Sequence, residues 1–439
     1  MSTSRYIEIR PDNIPADGII SFKNGFPVLS FTISAQEGLL DPRSVRIVGD
    51  FKVFKDNLTN PTPVRAGDNL TMNNRLGIYN IIDSLTIRSH KSALICENIR
   101  HYAKFMNSYL ALTSSLQDQM GHLQETCLIY PNAEAFRKNV MESPANASKS
   151  NSFSFHVPCG FLQSGQMVNL RQDAFGGVQL EFLLQPDVNV LYATNGSSLN
   201  VEDAHYQLSN LKLTCEVLDI PAGTPPEASG VYEFNTITSL YTSINSTNAQ
   251  LQYNLALRNV LSAFMTFCPV SHINTITADS TPTTYPQGKT SVTDIAEIKR
   301  VQFLKGGSKY PADFDFVNNF VTDANVTLPD PQIVKGLYDA IVPEGSMGKY
   351  SISPVNMNRN YNMTTAATET SYSNIAEGGS VMALGVRYGI GGAGEDFTTE
   401  QFGVSIDSEK LLDSPTGVFI FIKAKAQLVY SPNGVQLIQ

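Results

Sequence analysis

The residues best equipped for chemistry are scattered along this chain. It has 439 residues and six histidines: His90, His101, His122, His156, His205 and His272. None stands in an HxH or HExxH pattern, and none lies beside a cysteine at metal-ligand spacing. Glu97 and His101 fall four residues apart, the spacing of neighbours on one helix face, where a surface ion pair is the expected outcome. The five cysteines, Cys96, Cys127, Cys159, Cys215 and Cys268, are odd in number and far apart. They form no CxxC pair and no disulfide framework. Most sit in apolar, strand-like runs such as Leu-Thr-Cys-Glu-Val, where a thiol serves as a small buried hydrophobe.

Two glycine motifs invite a nucleotide reading. Gly389-Ile-Gly-Gly-Ala-Gly394 matches GxGxxG after a strand-like segment. A dinucleotide site needs a helix N-terminus next, so that free N–H groups face the pyrophosphate. Here Glu395, Asp396 and Phe397 follow, and the acidic pair repels phosphate; a flexible turn is expected. Gly288-Lys289-Thr290 looks like the end of a P-loop, but Thr283 stands where its leading glycine belongs. Asp313 and Asp315 would share one strand face with no base or metal partner in view. There is no GxSxG. The expectation is therefore no catalytic residue, no cofactor-binding residue, no metal ligand and no cofactor.

Such scattering turns attention to the scaffold. Apolar residues make up 42% of the chain and charged residues 16%, against a typical charged share of about 25%. That balance excludes a disordered chain. The net charge of −9 is the wrong sign for a broad nucleic-acid footprint. No segment reaches the ~18–20 consecutive apolar residues of a membrane-spanning helix. The N-terminus lacks the apolar core of a signal peptide, so a protein made and used without secretion is expected, and sequons such as Asn57, Asn69 and Asn146 are read as chance. Thirty glycines and 23 prolines favour turns and strands over long helices.

Period-two patterns dominate, as half-buried strands require. Phe153, Phe155 and Val157 alternate with polar residues. So do Val178, Leu180, Phe182 and Leu184, and so do Leu211, Leu213, Cys215 and Val217. The longest run covers 418–430, with Val418, Ile420, Ile422, Ala424, Ala426, Leu428 and Tyr430 on one face and Phe419, Phe421, Lys423, Lys425 and Gln427 on the other. Helices are few. One-sided apolar spacing predicts a helix over 97–119, and Asp330-Pro331 opens a short one through Ile341. Two helices cannot supply the crossovers of a parallel sheet. A Pro- and Gly-rich connector at 219–230 divides the chain almost in half. Each half closes with a long alternating strand and a Pro turn. Two β-sandwiches are expected, interrupted by irregular inserts at 132–151, 274–294 and 342–379.

The order of segments resembles the double jelly-roll major capsid proteins of large DNA viruses, virophages and polinton-like viruses. It is carried by Gly38-Leu-Leu-Asp-Pro42 before a strand over 44–54, by Asn80-Ile-Ile-Asp-Ser-Leu-Thr-Ile-Arg88, and by Val157-Pro-Cys-Gly-Phe-Leu162. In the second half it is carried by 257–267, by 298–307, where Lys305-Gly306-Gly307 stands in place of a common Asn-Gly turn, and by Phe402-Gly-Val-Ser-Ile-Asp. Ser414-Pro-Thr-Gly417 and the last strand complete it. The resemblance implies a mainly β chain of two tandem eight-stranded antiparallel jelly-roll sandwiches, 1–222 and 223–439, with a few short helices and long loop insertions. It implies a homotrimer forming pseudo-hexagonal capsomers that tile an icosahedral virion shell, assembled inside the host cell. Neighbouring capsomers, penton and minor capsid proteins, and an internal lipid membrane are the implied partners. No direct sequence-specific nucleic acid binding is expected. Consistent with that, the first 35 residues hold only Arg5, Arg10 and Lys23 against Glu8, Asp12 and Asp17. A β-sandwich virion spike or lectin-like binding protein is the alternative, and the absence of Trp weakens its sugar-binding form. An enzyme on a β scaffold would need a site that the residues do not show.

Overall fold

Half-buried alternation becomes sheet throughout the chain. The computed structural model describes residues 3–56, 61–114, 118, 120–130, 133–145, 148–193, 204–220, 229–270, 298–310, 316–317, 322–323, 326–327, 331–341, 360–361, 383–389, 393–408 and 415–439. The first half supplies β1 (Ser4–Ile9), β2 (Val28–Ile33), β3 (Leu39–Phe54), β4 (Ile82–Ser89), β5 (Ile95–Arg100), β6 (Asn151–His156), β7 (Val178–Leu184) and β8 (His205–Leu218). They form two antiparallel sheets, ordered β1-β8-β3-β6 and β2-β7-β4-β5. The predicted alternation holds in detail: Val178, Leu180, Phe182 and Leu184 all point inward from β7.

The second half repeats this plan. Its long strands are β9 (Gly230–Ile244), β10 (Asn248–Tyr253), β11 (Val260–Pro269), β12 (Ile298–Lys305), β13 (Ala383–Arg387), β14 (Phe402–Ser408) and β15 (Thr416–Ser431). The sheet orders are β9-β15-β11-β13 and β10-β14-β12, the latter extended by the short strand Ser308–Lys309. Each strand of the first half thus has a counterpart in the same sheet position, the eighth place being filled among the described residues by two short pieces, Ser308–Lys309 and Phe316–Val317, both paired with β12. The hairpin into that strand turns on Gly306 and Gly307, both with positive φ (57° and 82°). A two-residue turn of the primed kind demands that geometry, and glycine accepts it without a Cβ clash.

Several expectations are corrected. The helix begins five residues later than its spacing predicts: α1 is Tyr102–Thr113, and Glu97 belongs to strand β5. The chain turns between the two at His101, whose left-handed backbone (φ 55°, ψ 45°) breaks the helical run. Glu97 and His101 therefore share no helix face. The insert expected to be irregular at 132–151 contains the helical turn Ala133–Phe136 and a π-helical turn Arg137–Met141. Phe136, Val140 and Met141 bury themselves in the core, which fixes it. The strand expected to be last is followed by β16 (Gly434–Ile438), which turns back at Pro432-Asn433 and pairs with it. The helix expected at Asp330-Pro331 runs Pro331–Ile341 and is named α2. Most of the connector, the insert 274–294 and the insert 342–379 apart from Asn360–Tyr361 lie outside the described residues.

Strand β15 is also buried differently from its sequence reading. Phe419 and Phe421, assigned to the outer face, are as fully buried as Val418 and Ile420 on the inner one. Val418, Ile420, Ile422 and Ala424 pack in the core of the second half with Phe267, Phe303 and Val404. Phe419, Phe421, Ala426, Leu428 and Tyr430 join the core of the first half instead. One strand therefore serves two cores. All five cysteines are buried and none is in a disulfide; the burial is what their apolar context predicts. Among the described residues no helix is long and apolar enough to cross a membrane.

Candidate functional site at the junction of the halves

Where the halves meet, two edge strands approach each other. β5 is the outer strand of its sheet and β9 the outer strand of another. An edge strand presents N–H groups that need acceptors once water is excluded. Glu97 supplies one: its Oε1 accepts from the backbone N–H of Ile237 on β9 at 2.9 Å. The same carboxylate accepts from the N–H of Gly160 (3.1 Å) and of Phe161 (2.8 Å), in the turn after β6. The side chain is buried, at 2% exposure. Desolvation pushes its pKa up to about 7, while the three N–H donors and the Cys159 thiol pull the other way. Burial likewise pushes the Cys159 thiol well above its ordinary range.

The turn that carries these donors fits only with glycine at 160. A Cβ there would sit 1.7 Å from the carbonyl oxygen of Asn235. Around this clasp the contacts are directional. Tyr232 Oη donates to Phe161 O at 2.6 Å, Ser164 Oγ donates to Glu233 O at 2.7 Å, and Glu233 N donates to Gln166 Oε1 at 3.0 Å.

Further along the junction the contact is aromatic. Phe105 of α1 lies 5.7 Å from Phe421 and 6.0 Å from Phe264, centroid to centroid. His101 packs 4.9 Å from Phe419 and 5.3 Å from Tyr241. The Lys104 ammonium stands 5.3 Å above the Phe419 ring, a cation–π arrangement. Burial lowers the pKa of His101 to about 4, with the nearby Lys104 and Arg100 charges adding to it. Burial also lowers that of Lys104.

The residues singled out for chemistry do not converge. His205 is buried and stacks on Phe54 at 5.4 Å. His156 ends β6, His122 opens the short helix His122–Cys127, and His90 lies in the turn between β4 and β5. His272, Gly288-Lys289-Thr290, Asp313 and Asp315 lie outside the described residues. No group of three or more His, Cys, Asp or Glu side chains that could hold a metal occurs among the described residues. Of the GxGxxG motif, positions 390–392 lie outside them. Gly389 has φ 73°, and a Cβ on it would meet Ala393 O at 1.6 Å. No helix follows. Glu395 instead pairs its backbone with Val260 and accepts at its carboxylate from Tyr310 Oη (2.5 Å) and Lys305 Nζ (3.0 Å).

Sequence reasoning missed the Glu97 clasp, since its partners are backbone groups distant in the chain. It also missed the aromatic contact, although a signal was present. Val418-Phe-Ile-Phe-Ile422 is continuously apolar, which marks a strand buried on both faces.

Two antiparallel sheets wound in the same order, twice in one chain, define a double jelly roll. Solved structures of that architecture match this chain over nearly its whole length. PBCV-1 VP54, fitted into a cryo-EM reconstruction of the virophage Sputnik, is 13% identical with a TM-score of 0.58, covering 100% of this chain and 97% of that one. The Faustovirus major capsid protein is 9% identical with a TM-score of 0.55, covering 98% and 91%. The mavirus major capsid protein is 9% identical with a TM-score of 0.50, covering 99% and 90%. No protein-family model and no curated protein sequence matches the chain.

Proposed function

We propose that this chain is a structural major capsid protein rather than an enzyme. The reading takes 1–222 and 223–439 as two jelly rolls side by side. Three copies close into a pseudo-hexagonal capsomer, and capsomers tile an icosahedral virion shell assembled within the host cell. Penton and minor capsid proteins, and a lipid layer beneath the shell, are its further partners. The observation that carries this is end-to-end correspondence with capsid proteins that share the doubled architecture. The junction supports it, because the aromatic and clasp contacts join the two halves into one body, as a tile requires.

Strand edges left open would pair indiscriminately, so neighbouring chains must cover them. The trimer contact is accordingly obligate and large, above ~2,000 Å², while contacts between capsomers are weaker and reversible. Light scattering at micromolar concentration should return three times the chain mass. Electron microscopy of the purified protein should show hexagonal outlines. A stable monomer, or a discrete oligomer that binds a glycan array and never forms hexagonal particles, would favour the spike or lectin-like alternative.

A further inference from the structure

We infer that the cleft between the two halves binds an anion-headed amphiphile, a carboxylate or phosphate monoester on a short apolar chain. The cleft encloses about 580 Å³, within the ~300–1,000 Å³ usual for small-molecule sites. Its walls differ in character. Phe105, Phe234, Ile237, Phe264 and Ile341 provide an apolar side. Lys423 and Lys425 line the other; two residues apart on β15, they leave the same face of the strand. Among the described residues Glu233 is the single acidic one of the lining, and its Oε1 already accepts from Gln427 Nε2 at 2.7 Å.

Neither lysine ammonium makes an ion pair or hydrogen bond with another described residue. Lys423 stands among packed side chains, and that burial lowers its pKa. A partly dehydrated cation without a counter-charge is stabilised by an arriving anion more than a solvated one is. The C-terminal end of α2 offers a competing negative pole at the cleft, but Ala340 O is already engaged by Ser262 Oγ at 2.7 Å. An inorganic anion would leave the aromatic wall uncovered, and a neutral alkane would leave the lysines uncovered. An amphiphile covers both. This inference stands apart from the capsid reading, because binding is measured on the full chain in whatever assembly it adopts.

The test is calorimetric titration of the full-length protein with dodecanoate and with dodecyl phosphate, below their micellar concentrations. Dodecanol, dodecyltrimethylammonium and inorganic phosphate serve as comparators. One site per chain is expected for both anionic amphiphiles, with each comparator at least tenfold weaker. Lys423→Gln combined with Lys425→Gln should weaken dodecanoate at least tenfold while leaving the thermal unfolding midpoint in place. Should that double variant fail to fold, Lys425→Gln alone, at an exposed position, is expected to weaken binding several-fold. Dodecanol binding as tightly as dodecanoate would overturn the inference, as would undiminished binding in a folded lysine variant. Inorganic phosphate binding as tightly as dodecyl phosphate would reassign the lysines to a free anion and overturn it equally.

Discussion

The two contact regions of the junction hold the same halves together by opposite means. At Glu97 the contact is polar, directional and tied to one glycine. At α1 it is chiefly a set of rings, Phe105, Phe264, Phe419 and Phe421. Directional groups fix register, and rings supply burial. The difference extends to acid and base. The Glu97 pKa is raised to about 7, so its contribution to stability is complete below about pH 4.5 and is lost as pH rises through 7. The His101 pKa is lowered to about 4, so its contribution is complete above about pH 6.5 and is lost as pH falls through 4. Acid relieves the cost of the buried charge at Glu97, whereas it adds the cost of a buried charge at His101.

Deletion of residues 418–439 breaks both regions together. It removes core side chains from each half, and no cooperative unfolding transition should survive in calorimetry or circular dichroism. A soluble, cooperatively folded, trimeric truncate would show the strand to be peripheral. Phe105→Ala empties the aromatic region alone. A loss of about 3–5 kcal/mol is expected, the usual cost of deleting a buried Phe side chain, read from denaturant titration. Gly160→Ala brings a Cβ to 1.7 Å from the Asn235 carbonyl oxygen, a backbone clash that no side-chain movement relieves, so a loss of about 3 kcal/mol or more is expected as the turn is forced away. Faster proteolysis at the junction, with each half's strands still protected from hydrogen exchange, would accompany it.

The opposed titrations give the sharpest separation. A rise in the Glu97 pKa from its ordinary value near 4.5 to about 7 corresponds to at most ~3 kcal/mol across that window. Melting temperatures from pH 4 to 8 should therefore vary little in the parent chain, where the two groups offset each other. Glu97→Gln should leave a profile that falls steadily toward acid. His101→Asn, which tolerates the left-handed backbone, should leave one that falls toward base. Parallel profiles in all three proteins would remove both groups from the account.

Much of the architecture was legible because burial on one face of a strand writes itself into every second residue. Val178–Leu184 and Leu211–Val217 show this, and so does the Pro-initiated helix at Pro331–Ile341. Less was legible where a backbone choice intervened. Ile99, Tyr102, Ala103 and Met106 fit a helical stripe, yet a single left-handed residue at His101 assigns the first of them to a strand. The clasp was invisible because a carboxylate bonded to N–H groups of residues 160, 161 and 237 leaves no side-chain pattern. β16 was missed because Gly434–Ile438 is only five residues long and follows the Pro turn at which the preceding strand was read to end.

The double allegiance of Thr416–Ser431 has a mechanical consequence. This strand is zipped to Gly230–Ile244 through fifteen consecutive residue pairs, and its side chains are anchored in both sandwiches. Tension applied along it would load that ladder in shear, so rupture would demand that many bonds fail at once. Force applied across the ladder would instead break the pairs one at a time, so the strand resists being pulled lengthwise far better than being peeled sideways.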